Sequence, residues 1–345
     1  MNRIEEEDLL HIAKHIEPLQ KFFKNKSVFI TGGTGFFGKW LLESFIYLND
    51  KFDLNASVTV LTRNADKFLT DFPFYKKYEN VFFIEGNVID FKFPDKKYHY
   101  IIHAATEADA KLNSENPLKM LDTITQGTRR VLDFAKEQNT EAVLLTSSGA
   151  INGKQPAGIT HVKESEGFYI DINNPLSAYA EGKRLAELYS AIYYKQFDIP
   201  VKIARCFAFV GPYLPLDKHF AIGNFILNGL KGEDILIKGD GTPHRSYLYA
   251  ADLTIWLWTI LINGKENLPY NVGSDQSVSI EETAKHVVHA FDNKIQYQIA
   301  GKSSGKPVER YVPDINFTKN ELGLDVFTSL SDSIVKTIRF YNDNT

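Results

Sequence analysis

The chain has 345 residues, 43% of them hydrophobic and 24% charged, which is typical of a globular protein with a substantial core. Its formal net charge of −4 argues against a general role in binding nucleic acid or membrane surfaces. The single cysteine, Cys206, excludes an intramolecular disulfide and a cysteine-based metal site. No apolar stretch reaches about 18 residues, so we predict no transmembrane helix. The acidic start at Glu5–Asp8 argues against a signal peptide, and we expect a cytoplasmic protein.

Hydrophobic periodicity predicts the elements in chain order. Apolar residues recur at helical spacing over 4–23, which predicts an N-terminal helical extension within residues 1–25. Between 26 and 212, strand-like runs alternate with helical patterns near 35–48, 117–138 and 177–197. This alternation predicts an α/β fold, a Rossmann-like doubly wound parallel sheet. The predicted strands after the first are Val58–Thr62, Val81–Glu85, Tyr100–His103, Ala142–Ser147 and Val201–Cys206. After Gly211-Pro212 the pattern is mixed and rich in turns, so we expect 213–345 to form mainly a smaller C-terminal α/β substrate lobe, interleaved with the first domain.

The segment TGGTGFFG at 31–38 lies between the first predicted strand and the first helix of the predicted sheet domain. Its glycines satisfy the spacing of a dinucleotide-binding turn, in which the backbone approaches a pyrophosphate at a helix N-terminus. The flanking strand and helix favour this interpretation over a purely structural turn.

The end of the second strand bears on which dinucleotide binds. The sequence there is Val60-Leu61-Thr62-Arg63-Asn64, and no carboxylate occurs before Asp66. NAD sites often place an acidic residue here to bind the ribose 2′-hydroxyl, whereas an arginine suits a 2′-phosphate. Arg63 therefore favours NADP over NAD. A solvated surface arginine is the alternative.

Two further segments have the character of a catalytic site. In the first segment, 144–150, a predicted strand is followed by hydroxyl side chains and a glycine. The carboxyl ends of parallel strands are where α/β sheets bind ligands. Tyr179 and Lys183 are four residues apart, so on a helix they share a face. The ordinary pKa of a phenol is near 10, and we expect the neighbouring ammonium to lower it. A nearby serine hydroxyl can orient a substrate for the same proton transfer.

Taken together, these segments resemble the extended short-chain dehydrogenase/reductase family of nucleotide-sugar epimerases, dehydratases and reductases. The resemblance runs from about residue 26 over nearly the whole chain. The matching segments are TGGTGFFG at 31–38, IHAAT at 102–106, LLTSSGA at 144–150, YAEGK at 179–183, RCFAFVGP at 205–212 and RSYLYAADL at 245–253.

The resemblance implies a role for each matching residue. Tyr179 is expected to be the catalytic acid–base, Lys183 its activator and a ligand of the cofactor ribose, and Ser148, five residues before Gly153, the hydroxyl partner. Substrate binding is expected at Ser148, Asn224 and Arg245, and the partners are a nucleotide-sugar substrate and a second copy in a homodimer. The expected cofactor-binding residues are Gly32, Gly35, Phe36, Phe37, Gly38, Arg63, Asn87, Val88, Ala104, Ala105, Tyr179 and Lys183.

Departures from the family pattern narrow the expected reaction. Dehydratases of the family place acidic residues directly after the catalytic serine or threonine, and decarboxylases tend to keep a glutamate there, whereas this chain has Gly149 and Ala150. Neither residue can transfer a proton, so both reactions are disfavoured. An asparagine that binds phosphate in the family is replaced by Ala208.

Three functions stay open. The first is reduction of a 4-keto sugar nucleotide at C4 with NADPH, which Arg63 favours. The second is 4-epimerisation with tightly bound NAD, and the third is dinucleotide binding without catalysis. A 3,5-epimerase/reductase would need further acid–base groups, for which Lys154, His161 and Glu164 are the candidates. We expect His103 to be a packed residue beside the cofactor loop, His219 and His244 to lie in loops of the substrate lobe, and no metal to bind.

Overall fold

The computed structural model describes residues 3–106, 110–218, 220–302, 305 and 307–342. The α-helices in these ranges are α1 (Glu6–Ile16), α2 (Gln20–Phe23), α3 (Phe36–Lys51), α4 (Ala65–Asp71), α5 (Ala110–Glu115), α6 (Pro117–Gln138), α7 (Ala178–Phe197), α8 (Ala221–Leu230), α9 (Ala250–Asn263), α10 (Ile280–Ala290), α11 (Asn316–Leu322) and α12 (Leu330–Asn342). The strands are β1 (Ser27–Thr31), β2 (Ser57–Thr62), β3 (Val81–Glu85), β4 (Tyr100–His103), β5 (Ala142–Ser148), β6 (Val201–Cys206), β7 (Phe209–Val210), β8 (Ile235–Ile237), β9 (His244–Arg245), β10 (Leu248–Tyr249), β11 (Pro269–Val272), β12 (Val278–Ser279), β13 (Tyr297–Ile299) and β14 (Arg310–Tyr311). No helix in the described part of the chain is long and apolar enough to span a membrane.

Within the described residues, one seven-stranded sheet organises the fold. Its strand order is β11-β6-β5-β4-β1-β2-β3, and every neighbouring pair is parallel. The chain therefore proceeds outward from β1 in both directions, through β2 on one side and β4 on the other. This reversal opens a crevice at the carboxyl ends of the central strands. The predicted Rossmann-like doubly wound parallel sheet is confirmed.

Both faces of the sheet are buried, which explains why its central strand is a continuous apolar run. Val28 and Ile30 of β1 belong to the core on the side of α3 and α9, whereas Phe29 between them belongs to the core on the side of α6 and α7. The alternation follows from the period of two along a strand.

The N-terminal helix covers the outside of the first of these cores. Ile12 and Ile16 of α1 are fully buried where α1 packs against α3 and α9. The sequence predicts one helical segment over 4–23, but the structure interrupts it with a 3₁₀ turn at Glu17–Leu19. Pro18 within that turn has no N–H to donate to a continuous α-helix.

The C-terminal part of the chain contributes both to the main sheet and to a separate core. β11 extends the main sheet beyond β6, and α9 packs beneath β5 and β6. By contrast, α8, α10 and α12 surround their own apolar cluster. A small sheet of order β12-β9-β14 lies next to that cluster. Its strands bring residues 244–245 and 310–311 together.

Candidate active site

The glycine turn at 31–38 joins β1 to α3 through unusually close backbone approaches. Gly32 has φ +73°, and a Cβ at this position would lie 2.5 Å from the Ala104 carbonyl oxygen. A Cβ at Gly38 would lie 2.3 Å from the Gly33 Cα. Both positions therefore require glycine, and they bring the N-terminus of α3 to the carboxyl edge of the sheet.

The middle glycine of the turn has space in front of it. A Cβ at Gly35 would approach only the Gly32 carbonyl oxygen, at 3.4 Å. Phe36 and Phe37 form the first turn of α3, where the backbone N–H groups have no acceptor within the helix. These donors and the positive end of the helix dipole favour a pyrophosphate. The turn therefore fits the phosphates of a nicotinamide dinucleotide.

The other predicted cofactor residues lie along the same edge of the sheet. Arg63 follows β2 and is exposed, Asn87 and Val88 follow β3, and Ala104 and Ala105 follow β4. Val88 is buried, whereas the two alanines are half-buried. Successive strand ends thus provide the positions that would hold the two nucleosides of the cofactor.

Ser148 and Tyr179 face one cavity of about 490 Å³. Ser148 ends β5, and Tyr179 lies in the first turn of α7, one turn before Lys183. The Lys183 Nζ is 6.0 Å from the centroid of the Tyr179 ring. The fold therefore brings the predicted catalytic residues together from two separate elements.

The ionisation of Tyr179 differs from the sequence prediction. Burial raises the pKa of the phenol to about 12, although hydrogen bonding to Ser148 lowers it in part. The prediction that the Lys183 ammonium would bring this pKa below its ordinary value is wrong, because desolvation of the buried phenolate is the largest effect on it. Tyr179 is therefore a proton donor at neutral pH.

Lys183 is itself buried among backbone and hydroxyl acceptors. Its Nζ donates to the Thr146 carbonyl oxygen at 2.7 Å and to the Thr106 Oγ1 at 3.2 Å. Burial lowers the pKa of Lys183 to about 8, whereas Glu187, one turn further along α7, raises it. The side chain is mainly charged at neutral pH and close to losing its proton.

His103 is a packing residue, as predicted. Its ring nitrogens lie 2.8 Å from the Thr31 Oγ1 and 3.2 Å from the Thr128 Oγ1, and its side chain is buried. Burial lowers the pKa of His103 to about 3, so the ring is neutral. His244 contacts a serine hydroxyl in its own lobe, and His219 lies outside the described residues.

The far wall of the cavity includes residues that the sequence did not reveal. Arg245 of β9 lines the cavity as predicted, and Arg310 and Tyr311 of β14 line it beside Arg245. The Tyr311 ring packs against Phe207 with centroids 4.8 Å apart. β14 spans two residues, which is too short to give a periodic pattern in the sequence. The available signal for these cavity residues was an Arg-Tyr pair within a polar segment.

Other predicted candidates lie elsewhere. Asn224 does not line the cavity, and its side-chain amide donates to the Lys218 carbonyl oxygen at 2.8 Å. Glu164 is directed into the protein, where it accepts from the backbone N–H of Asn271 at 3.0 Å. His161 contacts a backbone carbonyl oxygen, whereas Lys154 lines the cavity and pairs with a glutamate there.

The two positions after Ser148 carry no group that can transfer a proton. Ala150 lines the cavity, and a Cβ at Gly149 would lie 2.5 Å from the Phe207 ring. The wall is therefore closed to a side chain at 149 unless Phe207 moves. Ala208, which replaces an asparagine of the family pattern, also lines the cavity.

The sequence profile of the NAD dependent epimerase/dehydratase family matches residues 28–273, well over half of the chain. The chain belongs to this family. Its members include enzymes of the extended short-chain dehydrogenase/reductase type, as the matching segments predicted. This epimerase/dehydratase-family chain is therefore an enzyme that uses a nicotinamide dinucleotide.

Two relatives with similar sequences are named as UDP-glucuronic acid decarboxylases. UDP-glucuronic acid decarboxylase 1 of Xenopus tropicalis is 29% identical over 334 residues, which cover 94% of this chain and 75% of that protein. UDP-glucuronic acid decarboxylase 6 of Arabidopsis thaliana is 28% identical, covering 91% of this chain and 88% of that protein.

Solved structures of other proteins share this architecture. UDP-glucose 4-epimerase from Thermotoga maritima superposes with a TM-score of 0.79 at 19% identity, covering 92% of this chain and 99% of that one. The dTDP-glucose 4,6-dehydratase of Streptomyces venezuelae, solved with NAD, superposes with a TM-score of 0.77 at 22% identity, covering 92% and 97%. At these identities the structures establish the shared fold and leave the reaction open.

Proposed function

We propose that the chain catalyses hydride transfer at C4 of a nucleotide-linked hexose, in the direction that reduces a 4-keto sugar with NADPH. The proposal rests on one observation. Ser148, Tyr179 and Lys183 form a complete catalytic set, but Gly149 and Ala150 occupy the positions where the dehydratases and decarboxylases that the chain resembles keep acids. Hydride transfer at C4 needs only the first three residues.

The packing behind Gly149 supports the same conclusion. An acidic side chain at 149 would begin with a Cβ 2.5 Å from the Phe207 ring. The Phe207 ring in turn packs against Tyr311. Because well-packed aromatic rings resist displacement, the cavity is built for a glycine at this position. The packing therefore disfavours an acidic side chain at position 149.

The proposed mechanism assigns one task to each side chain. A nicotinamide dinucleotide held at the glycine turn supplies the hydride when it is bound. Tyr179 donates its phenol proton to the C4 oxygen as the carbonyl becomes a hydroxyl. The Lys183 ammonium stabilises the phenolate that remains, and the Ser148 hydroxyl orients the C4 oxygen. Arg245 and Arg310, which both line the cavity, are the proposed ligands of the substrate diphosphate, which suits their planar sets of donors.

A 4-epimerase with tightly bound NAD is the second candidate. The same three catalytic residues suffice for this reaction, and a solved structure with this fold is named as a UDP-glucose 4-epimerase. Arg63 supports the reductase, because it is exposed just after β2, where NAD sites often place a carboxylate. NADP is therefore the proposed cofactor, and NAD is the alternative.

We also propose that two copies associate through α6 and α7 as a four-helix bundle. These helices pack against each other, and their outer surfaces expose Leu118, Leu188 and Ile192. Leu188 and Ile192 are four residues apart on α7, so they share one face. Sedimentation velocity of the wild type and of Leu188→Glu tests the proposal, and a wild-type monomer would refute it.

The reaction is tested with two panels of UDP-, GDP-, CDP- and dTDP-linked sugars. The first contains 4-keto-6-deoxy sugars and NADPH, and the second contains hexoses and hexuronic acids that carry a C4 hydroxyl, without NADPH. Steady loss of reduced-nicotinamide absorbance supports the reductase. Interconversion of C4 epimers without net redox, together with NAD released on denaturation, supports the epimerase. Tyr179→Phe is the control, and its rate should fall by about 10²- to 10⁴-fold. Elimination or decarboxylation by the wild type would refute hydride transfer as the complete reaction.

A further inference from the structure

A buried ion pair lies directly behind the catalytic residues. Glu187 is one turn after Lys183 on α7, and its carboxylate accepts from the Arg205 Nε at 3.0 Å and from the Arg205 Nη2 at 2.8 Å. The same carboxylate accepts the Ser147 hydroxyl at 2.5 Å. The side chains of Arg205 and Glu187 are 11% and 12% exposed. The pair is therefore bidentate and largely removed from water.

This cluster joins the strand end that carries Ser148 to the helix that carries Tyr179. In the register of β5 and β6, Ser147 lies opposite Arg205, and Ser148 follows immediately along β5. The ion pair and the Ser147 hydroxyl thus connect β5, β6 and α7 one residue away from the cavity.

Two further side chains of α7 bind the same stretch of chain. The Lys183 Nζ donates to the Thr146 carbonyl oxygen at 2.7 Å, and the Arg184 Nε donates to the Ile151 carbonyl oxygen at 2.7 Å. With the bond from Ser147 to Glu187, the segment on either side of Ser148 is attached to α7 at three points. Ser148 therefore has little freedom to move relative to Tyr179.

A buried ion pair is a weak source of stability, because desolvation of two charges offsets much of their attraction. A bidentate pair nevertheless fixes geometry closely. Proton transfer depends strongly on placement, and a misplacement of about 1 Å can cost about 100-fold in rate. The geometry of this pair matters more for the reaction than its contribution to folding.

We propose that Glu187 and Arg205 are positioning residues that act through Ser147. They hold the end of β5 against α7, so that Ser148 and Tyr179 keep the spacing needed for proton transfer at C4. Neither side chain of the pair lines the cavity. The inference rests on the proposed function and adds positioning residues to the same site.

Ser147→Ala is the most informative variant, because it removes the hydroxyl link and leaves the ion pair intact. We expect kcat to fall by about tenfold or more, with KM for the nucleotide sugar and Kd for the dinucleotide within about twofold of wild type. Ser147→Thr keeps a hydroxyl and should recover most of kcat. Ser190→Ala is the matched control, because the hydroxyl of this buried serine donates to the Ala186 carbonyl oxygen within α7. Its kcat should be that of the wild type.

Glu187→Gln adds a readout that a purely structural role would not change. The groups facing Lys183 are Glu187 and Tyr179 on α7, Cys206 on β6 and His103 at the end of β4. Among these, Glu187 is a carboxylate that favours the charged ammonium. Its neutralisation should move the alkaline limb of the kcat profile to lower pH.

The outcomes separate the inference from the function on which it rests. A wild-type chain without hydride transfer at C4 refutes the proposed function, and the positioning role with it. An active wild type with unchanged kcat in Ser147→Ala refutes the positioning role alone. The positioning role is also refuted if Ser190→Ala loses as much kcat as Ser147→Ala does, and if the loss in Ser147→Ala follows the fraction of protein unfolded in thermal denaturation.

Discussion

Replacement of Lys183, the proposed catalytic lysine, should make the protein more stable while it abolishes turnover. Burial lowers the pKa of Lys183 from 10.5 to about 8, which corresponds to about 3 kcal/mol of unfavourable free energy for the charged side chain at neutral pH. Lys183→Met removes this cost but also removes the hydrogen bonds to Thr146 and Thr106, worth about 1 kcal/mol each. We therefore expect a net gain of about 1 kcal/mol in the free energy of unfolding at pH 7.

The pH dependence of this gain follows from proton linkage. The pKa of Lys183 is lower in the folded protein than in the unfolded chain, so the unfolded chain binds more protons between about pH 8 and pH 10.5. The stability of the wild type should therefore rise relative to Lys183→Met as the pH increases through this window. The greater stability of Lys183→Met should therefore disappear as the pH rises, and the wild type should become the more stable protein. This follows because the variant still lacks the two hydrogen bonds of Lys183 when the cost of the buried charge is gone.

The assay is urea denaturation followed by fluorescence, without added dinucleotide, since bound ligand would stabilise the wild type by mass action. Lys202→Met is the control, because this buried lysine on β6 donates to the Gly264 carbonyl oxygen far from the cavity. Burial also lowers the pKa of Lys202, whereas Glu266 raises it, and its replacement should preserve turnover because Lys202 does not line the cavity. A Lys183→Met protein whose stability relative to wild type does not change between pH 8 and pH 10.5 would refute the reasoning.

Three further predictions address the site and the fold. The kcat of C4 reduction should fall as the pH rises above about 8, because Lys183 loses its proton while Tyr179 keeps its own; a profile that is flat there would contradict these roles. Gly38→Ala should weaken dinucleotide binding in calorimetry and destabilise the fold by about 1–3 kcal/mol, and unchanged affinity would count against the phosphate site. Ile12→Ala should cost about 2–5 kcal/mol in urea denaturation, with dinucleotide affinity retained, since α1 lies outside the crevice. A negligible cost would show that α1 is dispensable.

The parallel sheet and the catalytic set could be predicted from the sequence because their signals are local. Three glycines between a strand and a helix specify a close turn, because each close approach excludes a side chain. The spacing of Tyr179 and Lys183 places them on one helical face whatever lies around them. Ser148 was proposed from the family resemblance, because it lies five residues before Gly153, and the structure places it at the end of β5.

Other features depend on contacts between distant segments, and only the tertiary structure decided them. Arg310 and Tyr311 reach the cavity through a two-residue strand paired with β9, which leaves no periodic trace. The pKa of Tyr179 is raised because burial, which depends on the whole fold, outweighs the hydrogen bond to Ser148.

The connection of Glu187 to Arg205 and Ser147 also depends on contacts between distant segments. Nothing in three separate segments indicates that their side chains meet, because the parallel pairing of β5 and β6 and the packing of α7 bring them together. The sequence by itself therefore determined the parallel sheet and named the candidate residues for the chemistry, since local spacing, residue type and the family resemblance are sufficient for that. The tertiary structure decided their charge states and what holds them in place, because desolvation and long-range contacts exist only in the folded chain.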